Sequence, residues 1–121
     1  MQIREIAKLL NAKVLCGEEH LDREVKSACG CDMMSDVLAF VKDQAVLITG
    51  LCNPQVVRTA MMMDMRCIVF VRGKNPPQEV IDLACSAGIV VLASDERMYT
   101  ACGTLYVNGL AGGAEVHDRA C

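Results

Sequence analysis

The sequence predicts an α/β domain: a small, mostly parallel sheet with helices on both faces. Its C-terminal two thirds read as three consecutive β-loop-α units. Three observations lead there. Apolar runs of strand length (Ala45–Thr49, Cys67–Val71 and Ile89–Leu92) alternate with helical patterns. Each run is continuously apolar, as a strand covered on both faces must be. The units also recur at a constant step, since Asn53-Pro54 is followed by Asn75-Pro76, and Ile48 by Phe70 and Leu92. Strand, loop and helix in repeated succession place the strands parallel, joined by crossover connections.

The elements follow in order. Ile3, Ile6, Ala7 and Leu10 line one face of a first helix that stops at Asn11. Lys13–Cys16 is a short strand ended by Gly17, and a polar turn runs from Glu18 to Arg23. Val25–Cys31 reads as a second strand. Ser35 is placed as N-cap, with Asp36 in the first turn, of a short helix reaching Val41. The repeating units supply helices Pro54–Met63, Pro76–Ala87 and Glu96–Tyr106. Asn before Pro suits a helix start, because the Asn side chain caps and Pro needs no amide partner in the first turn. The core-facing helix positions read as Val56, Val57, Ala60 and Met61, then Val80, Ile81, Ala84 and Cys85, then Met98, Ala101, Cys102 and Leu105. One domain is expected over 1–108. A flexible tail is expected over 109–121, where glycines recur without an apolar period.

Composition narrows the function. The net charge is −3, no run of like charges occurs, and there are two Phe, two Tyr and no Trp. Nucleic-acid binding needs concentrated Lys and Arg with aromatic platforms, so it is set aside. No apolar run reaches the ~18–20 residues of a membrane span, and the first ten residues are amphipathic rather than a leader. A cytoplasmic protein without a membrane partner is expected. Eight cysteines in a reducing compartment read as free thiols.

In an open parallel sheet, ligands bind beyond the carboxyl ends of the strands. The loops there carry Thr49, Gly50 and Asn53, then Arg72, Gly73, Lys74 and Asn75, then Ser94 and Asp95. Helix N-termini, glycines that admit close approach and two cations suit a phosphate or carboxylate. The same residues also suit plain, well-capped connections. Asp32, Ser35 and Asp36 form a second polar cluster, open to acid–base work, metal binding or helix capping. Cys67, Cys85 and Cys102 fall on core positions. Cys29 and Cys31, sharing a strand face, are the weaker option for a metal site if Cys52 approaches, although no Cys-x-x-Cys pair is present. Among Met61, Met62 and Met63, Met61 fits the core, which turns Met62 or Met63 outward as an adaptable contact. No Walker-type phosphate loop and no Gly-x-Ser-x-Gly elbow occurs, so a non-enzymatic module without a cofactor is expected.

Several segments, in order, resemble DRTGG domains: Ile3-Arg4-Glu5-Ile6-Ala7, Leu10 through Gly17, Leu21 through Val25, Asp32 through Leu38, and Leu47-Ile48-Thr49-Gly50. The pentapeptide of the family name is not contiguous here; Asp22-Arg23 and Thr49-Gly50 are its nearest pieces. The resemblance implies a regulatory or dimer-forming module. Related domains accompany adenine-nucleotide-binding CBS domains and, more distantly, stand at the N-terminus of HPr kinase/phosphorylase and of Mur ligases. With the strand-end loops, the outward Met run and the missing catalytic motifs, the expectation is a homodimer with a nucleotide or other small anionic metabolite as ligand. The alternative is an assembly factor for an iron-only hydrogenase or another redox enzyme of an anaerobe, with an iron–sulfur or metal carrier as the lesser option.

Overall fold

The structure is a computed structural model and describes residues 1–40 and 45–112. Eleven elements follow in order: α1 (Ile3–Leu9), β1 (Lys13–Cys16), a 3-10 turn (Glu18–His20), β2 (Ser27–Gly30), α2 (Met34–Phe40), β3 (Ala45–Thr49), α3 (Pro54–Met62), β4 (Cys67–Phe70), α4 (Gln78–Ser86), β5 (Val90–Ala93) and α5 (Met98–Val107). The sheet order is β1-β5-β4-β3-β2. Strands β2 to β5 are parallel neighbours, and β1 lies antiparallel on β5. The parallel run thus begins one unit earlier than the repeating pattern, at β2 and α2.

Period-two alternation divides the core between the two sheet faces. Leu47, Ile68, Phe70 and Val91 face one side, under Val37 of α2, Val56, Val57 and Ala60 of α3, and Val80 and Ala84 of α4. Val46, Ile48, Val69, Val90 and Leu92 face the other, against Ile3 and Ile6 of α1 and Ala101 and Leu105 of α5. Helices α2, α3 and α4 therefore share one face, and α1 and α5 share the opposite one.

Several boundaries differ from the sequence expectation. Val25 is buried but is not in β2, because its backbone exchanges hydrogen bonds with Met1. Helix α4 begins at Gln78 after Pro77, not at Pro76. The cause is the second proline: a residue before Pro is pushed out of the helical region, so Pro76 stays outside the helix. Asn75 therefore caps nothing. Asn53 does cap, accepting from the Val56 amide at 3.3 Å ahead of Pro54. Asn53→Ala should cost about 1 kcal/mol in urea unfolding, while Asn75→Ala should stay within about 0.5 kcal/mol. Equal losses at the two positions would contradict this assignment.

Ser35 lies inside α2 rather than capping it; the Met33 carbonyl accepts from Asp36 and Val37. Helix α5 starts at Met98, and Glu96 belongs to the preceding turn. Met61 is 49 % exposed and Met62 is 73 % exposed, whereas Met63 packs against the α2–α4 core. Helix α3 ends at Met62, so the chain turns at Met63 and folds that side chain back. The expectations of a buried Met61 and of Met63 as a contact residue are corrected accordingly. Cys85 is exposed and Cys102 is half-buried; of the three cysteines assigned to the core, only Cys67 is fully enclosed. The first residues after α5 are anchored: Leu110 is buried, and the Ala111 carbonyl accepts from the Ala28 amide of edge strand β2 at 3.0 Å. The helix end expected at Val41, and residues 113–121 of the tail expected over 109–121, lie outside the described residues.

Candidate functional site

Two clusters that are separate in sequence form one arrangement at the carboxyl ends of β2, β3 and β4. Asp32 follows β2 and reaches across to its neighbours. Its Oδ1 accepts from the Gly50 amide at 2.8 Å and from the Thr49 hydroxyl at 2.9 Å. Its Oδ2 accepts from Arg72 Nη2 at 3.3 Å. Thr49 Oγ1 in turn accepts from the Leu51 amide at 3.1 Å. Burial raises the Asp32 carboxyl, but the bonds from Gly50 and Thr49, with the charges of Arg72 and Lys74, outweigh it and hold it below its ordinary range.

Gly50 has a steric reason. A Cβ there would stand 2.7 Å from Cζ and Nε of Arg72, so the guanidinium rests on the glycine backbone. Arg72 and Gly73 both adopt positive φ, 62° and 67°. That turn aims their amides at the next strand end. The Arg72 amide donates to the Glu96 carbonyl at 2.7 Å, and the Gly73 amide to the Ser94 carbonyl at 3.1 Å.

The neighbouring strand end has a different character. The loop after β4 leads to α4 on one face, and the loop after β5 leads to α5 on the other. Loops that diverge from adjacent parallel strands open a crevice between them. A cleft of about 90 Å³ lies there, lined by Asn11, Lys13, Gly73, Lys74, Asn75, Ala93, Ser94 and Asp95. Lys13 arrives because β1 pairs with β5 and sets Lys13 opposite Ala93. Its contribution was missed in the sequence, which does not show which strand lies beside β5. Ser94 is structural: its hydroxyl donates to the Leu10 carbonyl at 2.7 Å and accepts from the Glu96 amide at 3.1 Å.

The predicted residues therefore separate by role. Arg72 is held by Asp32, and the amides of Arg72 and Gly73 are occupied by carbonyls. The two backbone amides are thus not open to an anion, while the Arg72 guanidinium bonds Asp32 through one amine and stays 45 % exposed. Lys13, Lys74, Asn11 and Asn75 are exposed at the crevice, with the Asp95 carboxylate beside Gly73. Among the described residues, neither Lys13 nor Lys74 has a carboxylate within ion-pair distance. Asn53 caps α3, away from these contacts. Ser35 and Asp36 take no part in the Asp32 arrangement.

The cysteine option fails on geometry. Cys31 Sγ bonds the Met33 backbone at 3.3 Å, and Cys52 Sγ turns to the Gly50 carbonyl at 3.9 Å. Among the described residues no three His, Cys, Asp or Glu side chains gather as a metal site, so Cys29, Cys31 and Cys52 do not assemble into one. Burial pushes the Cys52 thiol up, with Lys74 and Arg72 opposing only in part, so it remains a neutral thiol near pH 7. No helix among the described residues is long and apolar enough to cross a membrane.

Comparison with known proteins agrees with this architecture. The family model of the DRTGG domain matches residues 5–106. The crystal structure of the CBS and DRTGG domains of the regulatory region of Clostridium perfringens pyrophosphatase, complexed with its activator diadenosine tetraphosphate, is similar with a TM-score of 0.71. The identity is 19 %, and the match covers 86 % of this chain and 45 % of that one. This chain thus spans less than half of its structural neighbour, and at that identity the likeness is one of fold. No curated protein matches the chain.

Proposed function

The chain belongs to the DRTGG domain family, and on that premise we propose that it is a non-enzymatic cytoplasmic regulatory module that senses an anionic nucleotide. One observation carries the reading: the β4–β5 crevice, where loops diverge to opposite sheet faces, holds two amide side chains and two lysines that make no ion pair among the described residues. A cleft of about 90 Å³ suits one phosphate group. Binding sites for whole small molecules run to about 300–1,000 Å³, so the rest of a nucleotide would lie along the surface. The structural neighbour's nucleotide activator supports the ligand class. The Asp32–Arg72 knot holds the adjoining loop in place, which lowers the cost of ordering it around a ligand.

The test is a thermal-shift and calorimetric series with diadenosine tetraphosphate, ATP, ADP, AMP and inorganic phosphate. A true ligand at a hundred times its Kd adds about 2.7 kcal/mol of stability. Lys13→Ala and Lys74→Ala should each weaken binding about tenfold or more, and added salt should weaken it further. If every compound leaves the unfolding midpoint unchanged, the crevice is not a nucleotide site.

A second reading is protein assembly, as a homodimer or beside a redox enzyme such as an iron-only hydrogenase. It draws on α5, which carries no charged residue from Met98 to Val107. Tyr99, Tyr106 and Val107 are 91 %, 72 % and 83 % exposed, and Met62 stands open on α3. An unresponsive ligand series, with a dimer in sedimentation, would favour this reading.

A further inference from the structure

The opposite end of the sheet carries charges of its own. Helix α3 passes into β4, and α4 into β5, through matching turns in which Asp64 and Gly88 adopt positive φ of 54° and 73°. Backbone alone closes each helix end. The Met65 amide donates to the Ala60 carbonyl at 2.8 Å, and the Ile89 amide to the Ala84 carbonyl at 3.0 Å. The Arg66 carbonyl accepts from the Val90 amide at 3.0 Å and joins the two strand starts. A groove of about 380 Å³ lies between these turns, lined by Arg23, Asp64, Met65, Arg66, Ala87 and Gly88. Arg23 enters from the turn ahead of Val25, and its Nη1 donates to the Gly88 carbonyl at 2.8 Å. Its chain neighbours Asp22 and Glu24 are engaged elsewhere, with Arg4 and the Met1 amino group, each at 2.9 Å. Arg66 is half-buried and, among the described residues, its side chain makes no hydrogen bond or ion pair. Asp64 lines the same groove, yet neither arginine pairs with it. Three charged residues thus share one groove without neutralising one another.

We propose that this groove binds a small hydroxylated phosphate ester, of the sugar-phosphate class. The planar donor fork of arginine matches phosphate oxygens in pairs. The Gly88 carbonyl takes one donor of Arg23 and leaves the rest of its fork, while Arg66 keeps its whole fork. Neither arginine is needed to cap the helices, because the carbonyls of Ala60, Met61, Ala84 and Cys85 already accept backbone amides. Partial negative charge at the two helix ends works against an anion. Those closing bonds take up carbonyls that carry it, and two full cations stand against one carboxylate. Asp64 accepts from hydroxyls of the ligand, which favours the ester over inorganic phosphate. Sites for whole small molecules run to about 300–1,000 Å³, so a bare phosphate would leave much of the groove unfilled. No aromatic residue lines it, so nothing there stacks on a nucleotide base. The groove lies at the amino ends of β4 and β5, opposite the nucleotide crevice, and does not depend on that reading.

The experiment is calorimetry and thermal shift on the full chain with glucose 6-phosphate, glycerol 3-phosphate, inorganic phosphate and glucose. The phosphate esters should bind and raise the unfolding midpoint, inorganic phosphate should bind more weakly, and glucose should not bind. Arg66→Ala should weaken the esters about tenfold, the loss of one charged hydrogen-bonding partner. Its unliganded midpoint should stay near that of the unaltered chain, since the Arg66 side chain holds no other group. Asp64→Gly, which suits the positive φ, should bind inorganic phosphate and the esters alike. Lys74→Ala, at the crevice, should leave ester binding unchanged. Four results would each overturn the proposal: no binding of either ester, equal binding by Arg66→Ala, inorganic phosphate as tight as the esters on the unaltered chain, or a loss at Lys74→Ala in place of Arg66→Ala.

Discussion

Asp32→Ala should destabilise the fold by about 2–3 kcal/mol near neutral pH, because three donors from two neighbouring strand ends lose one shared acceptor. The donors are the Gly50 amide, the Thr49 hydroxyl and the Arg72 guanidinium. They do not weigh equally. Arg72 and Asp32 are each 45 % exposed in their side chains, so their ion pair contributes at the small end of the range for surface pairs. Gly50 and Thr49 are buried, and their bonds to a charged oxygen account for most of the loss.

The pH dependence carries a sign. The Asp32 carboxyl is held below its ordinary value of 3.8 in the folded chain. Its contribution is therefore complete above about that value and fades as pH falls through the lower folded one. Urea unfolding of the native chain and of Asp32→Ala should differ by a constant amount from neutral pH down to the onset of carboxyl protonation. The two should converge in stronger acid. Asp32→Asn keeps an oxygen for Gly50 but turns an amide toward Arg72, so it should fall between them without that pH step. A native-to-alanine gap that is absent at pH 7, or unchanged in strong acid, would show that Asp32 does not organise these loops.

Phe70→Ala should cost about 3–5 kcal/mol, a large share of the 5–15 kcal/mol typical of whole domains. Phe70 is completely buried at the end of β4, on the sheet face covered by α2, α3 and α4. Removing its ring leaves a cavity that the backbone cannot easily close, because β4 is hydrogen-bonded to β3 on one side and β5 on the other. Phe70→Leu should lose much less, since it keeps most of the volume. Equilibrium urea unfolding measures both, with an unchanged slope expected if the unfolded state is unaffected. A loss below about 1 kcal/mol for the alanine variant would mean that the layer collapses around the gap.

Much of the fold is legible in local residues. Leu47, Ile48, Ile68, Val69, Val91 and Leu92 stand in continuous apolar runs, which only strands buried on both faces require. Asn53-Pro54 marks the start of α3 because both residues act within a single turn. Asn75-Pro76 looks the same but behaves differently, and Pro77 is the local reason. The Met61–Met63 run is harder to read, since three similar apolar residues give no contrast from which to phase a helix near its end.

The site is legible only in part. The strand-end loops are placed correctly, because parallel β-loop-α units bring all their carboxyl ends to one side of the sheet. The roles within them are not readable. Asp32 reads in sequence as part of a polar cluster open to acid–base work, metal binding or helix capping, yet it bonds Gly50 and Arg72, and no local pattern records a contact across three strands. Lys13 enters the crevice only because β1 turns antiparallel on β5.

The sequence by itself determined the periodic elements, the parallel β-loop-α order and the end of the sheet where polar loops gather. Each of these follows from interactions within a turn or between adjacent units. Only the tertiary structure decided which charges are paired and which stay open. Strand order and face of crossing bring Asp32 to Arg72 and leave Lys13 and Lys74 at the divergence of β4 and β5. Those contacts join residues far apart along the chain, so their energies depend on packing that residue spacing does not encode.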